Sequence, residues 1–263
     1  MNLFDLDSVT YRFNRIVAVD GLSMAIPSGT RVALLGANGS GKSTLLRILD
    51  GLYFPESGHV RFLDEPLTES RLADDDVARQ FRRRVGLLFQ NPDVQLFNAT
   101  VFDEVAFGPL QLRWPAADVR ARVMDTLERL RLTHLVDRVP HRLSGGEKKR
   151  VALASVLVTD PEVLLLDEPT DALDPRSQSQ LIDLLMSWAG ASRSVITATH
   201  HLGILDEIAD HCFVLDEGRL VAERSPADLL HDEDLLDRTN LIHVHRHRHG
   251  DLHVHTHPHT HGL

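Results

Sequence analysis

Short runs of alternating apolar and polar residues open the chain. VTYRF (9–13) and IVAVDGLSMAI (16–26), separated by Asn14 and Arg15, predict two strands. RVALLG (31–36) is a continuous apolar run ending in glycine, the pattern of a buried strand entering a loop. KSTLLRILDGL (42–52) follows, with Leu45, Leu46, Ile48, Leu49 and Leu52 on one predicted helical stripe closed by Gly51 and Pro55. HVRFL (59–63) and RVGLLF (84–89) predict further strands. After Pro115, apolar Val119, Val123, Leu127 and Leu130 recur at helical spacing, and a second helix is expected after Leu143-Ser144-Gly145-Gly146. VLLLDEP (163–169) and SVITATH (194–200) again read as strands around a helix over 176–188, and CFVLDEGRLVAE (212–223) as a hairpin turning at Glu217-Gly218. The pattern predicts an α/β unit over 1–240 carrying an all-helical insertion from about residue 91 to 160.

Past Asn240 the pattern becomes HVHRHRHGDLHVHTHPHTHGL, with almost no large apolar side chain. Residues 241–263 are therefore expected to be disordered without a ligand. The formal charge of -10 is wrong for a broad basic surface, so no nucleic-acid partner is expected. Cys212 is the only cysteine, which excludes an internal disulfide framework and favours a cytoplasmic location. The N-terminus does not read as a signal peptide, and no apolar run approaches the ~20 residues of a membrane span.

The candidate chemistry starts at Gly36-Ala37-Asn38-Gly39-Ser40-Gly41-Lys42-Ser43, the P-loop pattern between a strand and a helix. Glycines there let backbone amides fold around phosphate oxygens at a positive helix end. Lys42 is expected on the outer phosphates of ATP, the Ser43 hydroxyl on Mg²⁺, and Thr44 beside them. Asp167 ends the strand VLLLD and suits the Mg²⁺ shell, while Glu168 is placed to polarise the attacking water.

LSGGEKKRVALA (143–154), just upstream of VLLLDEPTDALDP (163–175), is similar to the signature of the ABC ATPase family. The resemblance runs from about residue 3 to 230, with the motifs in family order. It implies a P-loop NTPase core of ABC ATPase type, with an antiparallel β subdomain and an inserted helical subdomain. It implies that Phe13, or Tyr11 in its place, stacks on adenine, and that Gln90 senses Mg²⁺ and the γ-phosphate. It also implies that Ser144, Gly145 and Gly146 clamp ATP held by the opposite subunit, that Asp174 crosses the dimer interface, and that His200 is the switch histidine. Departures are Glu147 where glutamine is common, Asp171-Ala172 before Asp174, and His201 where aspartate is usual. A homodimer, or a dimer with a paralogous ATPase, would hold two sites.

The segment LLFQNPDVQLFNATVFDEVAFGPLQL (87–112) resembles the ATPases of energy-coupling-factor importers, including the cobalt and nickel group. That resemblance implies a transmembrane coupling subunit, a separate membrane subunit for substrate capture, and a peripheral position on the cytoplasmic face. Val94, Leu96, Phe97 and Phe102 are the candidate docking side chains. In the tail, His243, His245, His247, His249, His253, His255, His257, His259 and His261 are candidate Ni²⁺ or Co²⁺ ligands. A nickel or cobalt importer is the leading expectation. A vitamin importer of the same type is the alternative, and a soluble ABC ATPase acting on DNA or the ribosome is the alternative of another class.

Overall fold

The computed structural model describes residues 1–189, 193–249 and 253–260, with side chains described only as far as residue 242. The chain begins β1 (Asn2–Phe13), β2 (Ile16–Pro27), β3 (Arg31–Leu35), α1 (Lys42–Leu49), β4 (Ser57–Phe62), β5 (Glu65–Pro66), α2 (Glu69–Leu72), α3 (Asp75–Arg84) and β6 (Val85–Leu88). A helical stretch follows: α4 (Val101–Gln111), α5 (Ala116–Arg129) and α6 (Gly145–Leu157). Then come β7 (Val163–Asp167), α7 (Pro175–Ala189), β8 (Ser194–Thr199), α8 (Leu205–Ile208), β9 (His211–Asp216) and β10 (Arg219–Arg224). The chain closes with α9 (Pro226–Leu230), α10 (Glu233–Arg238), β11 (Ile242–His249) and β12 (His253–Thr260). It divides into two compact units, one of residues 1–49, 53–66 and 197–263, the other of 50–52 and 67–196.

In the first unit, β2-β1-β4-β5 form an antiparallel sheet. Phe4, Leu6 and Val9 of β1 face inward with Leu22, Met24 and Ile26 of β2, the alternation expected of a half-buried ribbon. β3 runs parallel to β9, Val32 beside His211 through Leu35 beside Val214. Both faces of β3 are covered, which is why its sequence is continuously apolar. β9 turns back into β10 through Glu217 (φ 46°) and Gly218 (φ 81°), the left-handed pair a tight hairpin requires.

The second unit pairs β6 with β7 in parallel, Val85 beside Val163 through Leu88 beside Leu166. Its core is helical: Val101 and Val105 of α4, Val119, Val123 and Leu127 of α5, and Val151 and Leu153 of α6 pack with Leu181 and Leu185 of α7. Each fully buried Val or Leu contributes about 1.5–3 kcal/mol, so this packing outweighs the weak start of α5. Pro115 begins that helix with no side-chain cap.

One expectation changes. Leu52 is 45 % exposed, because α1 stops at Leu49 and Gly51 turns the chain at φ 65° before a last stripe position forms. In the described part of the tail the backbone pairs β11 with β12 antiparallel. His alternates there with Val, Arg, Thr and, once, Pro258, a period-two pattern like that of a strand.

Burial pushes the partly buried Asp50 carboxyl up to about 8, against the opposing pull of Arg82. An unfolded aspartate titrates near its ordinary value of about 4. Between those values the unfolded chain has released a proton that the folded chain keeps, so stability falls as pH rises through the window and is level above it. Asp50→Asn removes this fall. Its gain in Tm is expected to be larger near pH 8 than near pH 5, and equal gains at both pH values would refute the assignment.

Candidate functional site

The loop from β3 to α1 forms a cradle. Gly36, Gly39 and Gly41 all have positive φ (150°, 87° and 104°), which turns successive amides toward one side. The loop closes on itself through Ser40 N–H to the Ala37 carbonyl at 3.1 Å and Leu45 N–H to the Gly41 carbonyl at 2.9 Å. Lys42 is 5 % exposed, and its Nζ donates to the carbonyls of Gly36 (2.6 Å) and Ala37 (3.1 Å). The Ser40 hydroxyl is buried and has no hydrogen-bond partner among the described residues. A buried cation, an unused buried hydroxyl and a helix N-terminus at one loop suit a polyphosphate. Ser43 and Thr44 lie in the first turn of α1, and Asn38 and Gly39 at the loop tip are exposed.

An aromatic group lies in the same unit. Tyr11 stacks on Tyr53 with centroids 5.0 Å apart and planes 7° from parallel. Phe13 meets both edge-on, at 5.0 and 5.5 Å, and stays 40 % exposed. Tyr53 was not anticipated, and it covers one face of the Tyr11 ring. Phe13 is exposed and Tyr11 only partly so. His200, also in this unit, packs against the His201 ring at 4.2 Å.

The remaining candidates lie in the second unit. Asp167 closes β7 and is 3 % exposed; Glu168 follows it, 4 % exposed, with a left-handed φ of 44°. Gln90 Nε2 donates to Asp171 Oδ2 at 3.1 Å, tying the glutamine to the loop beyond Glu168. Ser144 caps α6 in a capping box: its backbone N–H and hydroxyl donate to Glu147 Oε2 at 2.8 and 2.7 Å, and its Oγ accepts from Glu147 N–H. The carboxylate at position 147 is thus a cap, held below the usual range by the Ser144 donors. Gly145 and Gly146 leave the first turn of α6 bare. Asp174 accepts from the N–H groups of Arg176 and Ser177 and from the Ser177 hydroxyl, so within this chain it fixes the start of α7.

The candidate docking residues separate. Val94 and Phe97 are 69 % and 62 % exposed, whereas Leu96 is buried and Phe102 packs against the helical core. Phe107 and Leu110, which sequence reasoning passed over, join the exposed set, with Phe107 edge-on to Phe97 at 4.9 Å. The nine tail histidines fall on side chains outside the described ones. Among the described residues, no helix is long and apolar enough to cross a membrane.

The sequence profile of the ABC transporter family matches residues 19–171. The nickel import ATP-binding protein NikO of Rhodobacter capsulatus is 52 % identical over 242 residues, 91 % of this chain and 95 % of that one. The energy-coupling factor transporter ATP-binding protein EcfA of Methanothermobacter thermautotrophicus is 39 % identical, covering 91 % of this chain and 76 % of its own length. Among solved structures, CbiO1 of Clostridium perfringens, part of the ABC transporter complex CbiONQ, superposes with a TM-score of 0.76 at 36 % identity, over 91 % of this chain and 95 % of that one. The chain belongs to the ABC transporter ATPase family. Like its relatives it is an ATP-binding, ATP-hydrolysing subunit with the ABC ATPase fold.

Proposed function

We propose that this ATPase energises a membrane importer of transition-metal ions, nickel ahead of cobalt, of the energy-coupling-factor type. The observation that carries this reading is the 52 % identity to a nickel import ATP-binding protein across nearly the whole of both chains. The tail supports it. In the β11–β12 register His243 stands opposite His259, His245 opposite His257, His247 opposite His255 and His249 opposite His253. Imidazole suits Ni²⁺ and Co²⁺, and Cu²⁺ and Zn²⁺ as well.

In this proposal ATP lies on the Gly36–Ser43 cradle, Lys42 meets its outer phosphates, and Phe13 stacks on the base. Ser43, Gln90 and Asp167 would hold Mg²⁺. They offer only hard oxygen donors (hydroxyl, amide carbonyl and carboxylate), the set that ion prefers. When bound, Mg²⁺ neutralises charge on the phosphates. Glu168 orients and deprotonates water, and His200 contacts the γ-phosphate. Ser144 to Gly146 close on the nucleotide of a second subunit, either another copy or a paralogue, across an interface that includes Asp174. Exposed Val94, Phe97, Phe107 and Leu110 would supply an apolar surface for the membrane coupling subunit, which supports a peripheral position on the cytoplasmic face.

The test is metal accumulation in cells expressing the chain with its membrane subunits, with nickel, cobalt and zinc assayed separately. Nickel or cobalt uptake is expected, lost in Glu168→Gln and weakened by truncation after Asn240. A complex that hydrolyses ATP and accumulates none of these metals would overturn the metal reading in favour of a vitamin.

A further inference from the structure

The loop after β7 is held in a costly conformation. Glu168 has φ 44° and Ala172 φ 58°, both left-handed and neither glycine. Such positions cost on the order of 1–3 kcal/mol each and persist only where neighbouring groups fix them. One group placed to do so comes from α6. Lys149 is 3 % exposed, and its Nζ donates to the Glu168 carbonyl at 2.8 Å and, at a longer 3.4 Å, to the Asp171 carbonyl. The Asp171 side chain in turn accepts from Gln90. Burial lowers the Lys149 pKa, opposed by the surrounding Asp171, Glu168 and Asp167. A lysine sunk among backbone carbonyls at a strained turn has a positional task, and its neighbour Lys148 instead makes a part-exposed ion pair with Asp93 at 2.7 Å.

We propose that Lys149 is a positioning residue for hydrolysis: its ammonium group pins the left-handed peptide at Glu168 and the Asp171 carbonyl, and so fixes the direction in which the Glu168 carboxylate points. Lys149 is not itself the base. It acts through Glu168, and the inference rests on the proposed role of that residue as the base. The same ammonium also joins the first turns of α6, which carry the nucleotide clamp, to the loop bearing the base.

The experiment measures steady-state ATP hydrolysis by the complete transporter complex carrying Lys149→Met, Lys149→Gln or Glu168→Gln. Lys149→Met keeps the length of the stem and removes all donors. Its kcat is expected to fall roughly 10- to 100-fold, since small misplacements of a reacting group cost this much, while KM for ATP stays within about twofold. Lys149→Gln keeps an amide donor on a stem one atom shorter and is expected to lie between. Ala172→Gly on the Lys149→Met background relaxes one strained position and is expected to restore part of kcat without restoring a bond. Wild-type kcat in Lys149→Met, or a parallel loss of kcat, ATP affinity and Tm, would overturn the proposal. If Lys149→Met does not fold, Lys149→Gln decides, and a wild-type kcat there overturns it. Wild-type hydrolysis in Glu168→Gln would mean that the base assignment itself has failed. An inactive Glu168→Gln beside a fully active Lys149→Met would sink the positioning role alone.

Discussion

Glu168→Gln is expected to lower ATP turnover by on the order of 10²–10⁴-fold, the range a positioned general base contributes, and to leave ATP binding intact. The substitution is nearly isosteric, so the buried space at the end of β7 stays filled and the left-handed peptide keeps its geometry. Only the capacity to take a proton is lost. None of the groups proposed to hold nucleotide is altered: the cradle at Gly36 to Ser43, Phe13 and Asp167 are unchanged. Binding energy that normally ends in hydrolysis should then accumulate as a closed, ATP-loaded dimer. Size-exclusion chromatography with ATP is expected to show this species in Glu168→Gln and only transiently in wild type, and single-turnover assays should show phosphate release slowed by the same factor. A variant that hydrolyses at the wild-type rate would move the base to another residue.

The parts of the molecule that were legible in the sequence share a physical cause. β3 and β7 are covered on both faces, so they appear as unbroken apolar runs; Gly36 directly follows β3 and Asp167 is the last residue of β7. α5 was legible because its inward face repeats Val119, Val123 and Leu127 at helical spacing. α3 was not, since DDVARQFRRR buries only Ala78 and Phe81 and offers no stripe. Its signals are local: an Asp74 cap, an acidic first turn and an arginine-rich last turn.

Side-chain partnerships across long separations were the least visible. Tyr53 lies beyond the Gly51 turn, and nothing around it announces that it will stack on Tyr11. Leu96 and Phe97 are neighbours of equal apolar character, yet one is buried and the other 62 % exposed, because the short turn after Asn91 sends them to opposite sides. Lys148 and Lys149 make the same point chemically. Adjacent helix positions differ by about 100° in direction, so one lysine reaches the exposed Asp93 and the other the buried Glu168 carbonyl. Composition gives both the same weight; only the packing of α6 separates them.

Gly41→Ala is expected to weaken ATP binding by at least about 100-fold, which corresponds to about 2.7 kcal/mol. Gly41 sits at φ 104°, where a residue with a Cβ is strained by about 1–3 kcal/mol. A Cβ there would also stand 2.4 Å from the Ala18 carbonyl oxygen and 3.4 Å from Gly218 Cα, and both neighbours are backbone. Neither can rotate away as a side chain would, and forced overlap of this kind costs about 1–3 kcal/mol more. The cheapest escape is a change in the loop's own dihedrals. That escape withdraws amides from the anion and shifts Lys42, the next residue, away from the outer phosphates. Titration with a fluorescent ATP analogue should therefore show the loss while thermal unfolding shows a smaller change. Gly21→Ala is the control: it shares a positive φ of 59°, yet its added Cβ would meet nothing within 4 Å and it lies outside the cradle. Comparable loss of binding in both variants would assign the effect to general destabilisation, and wild-type affinity in Gly41→Ala would show that the cradle does not hold the nucleotide.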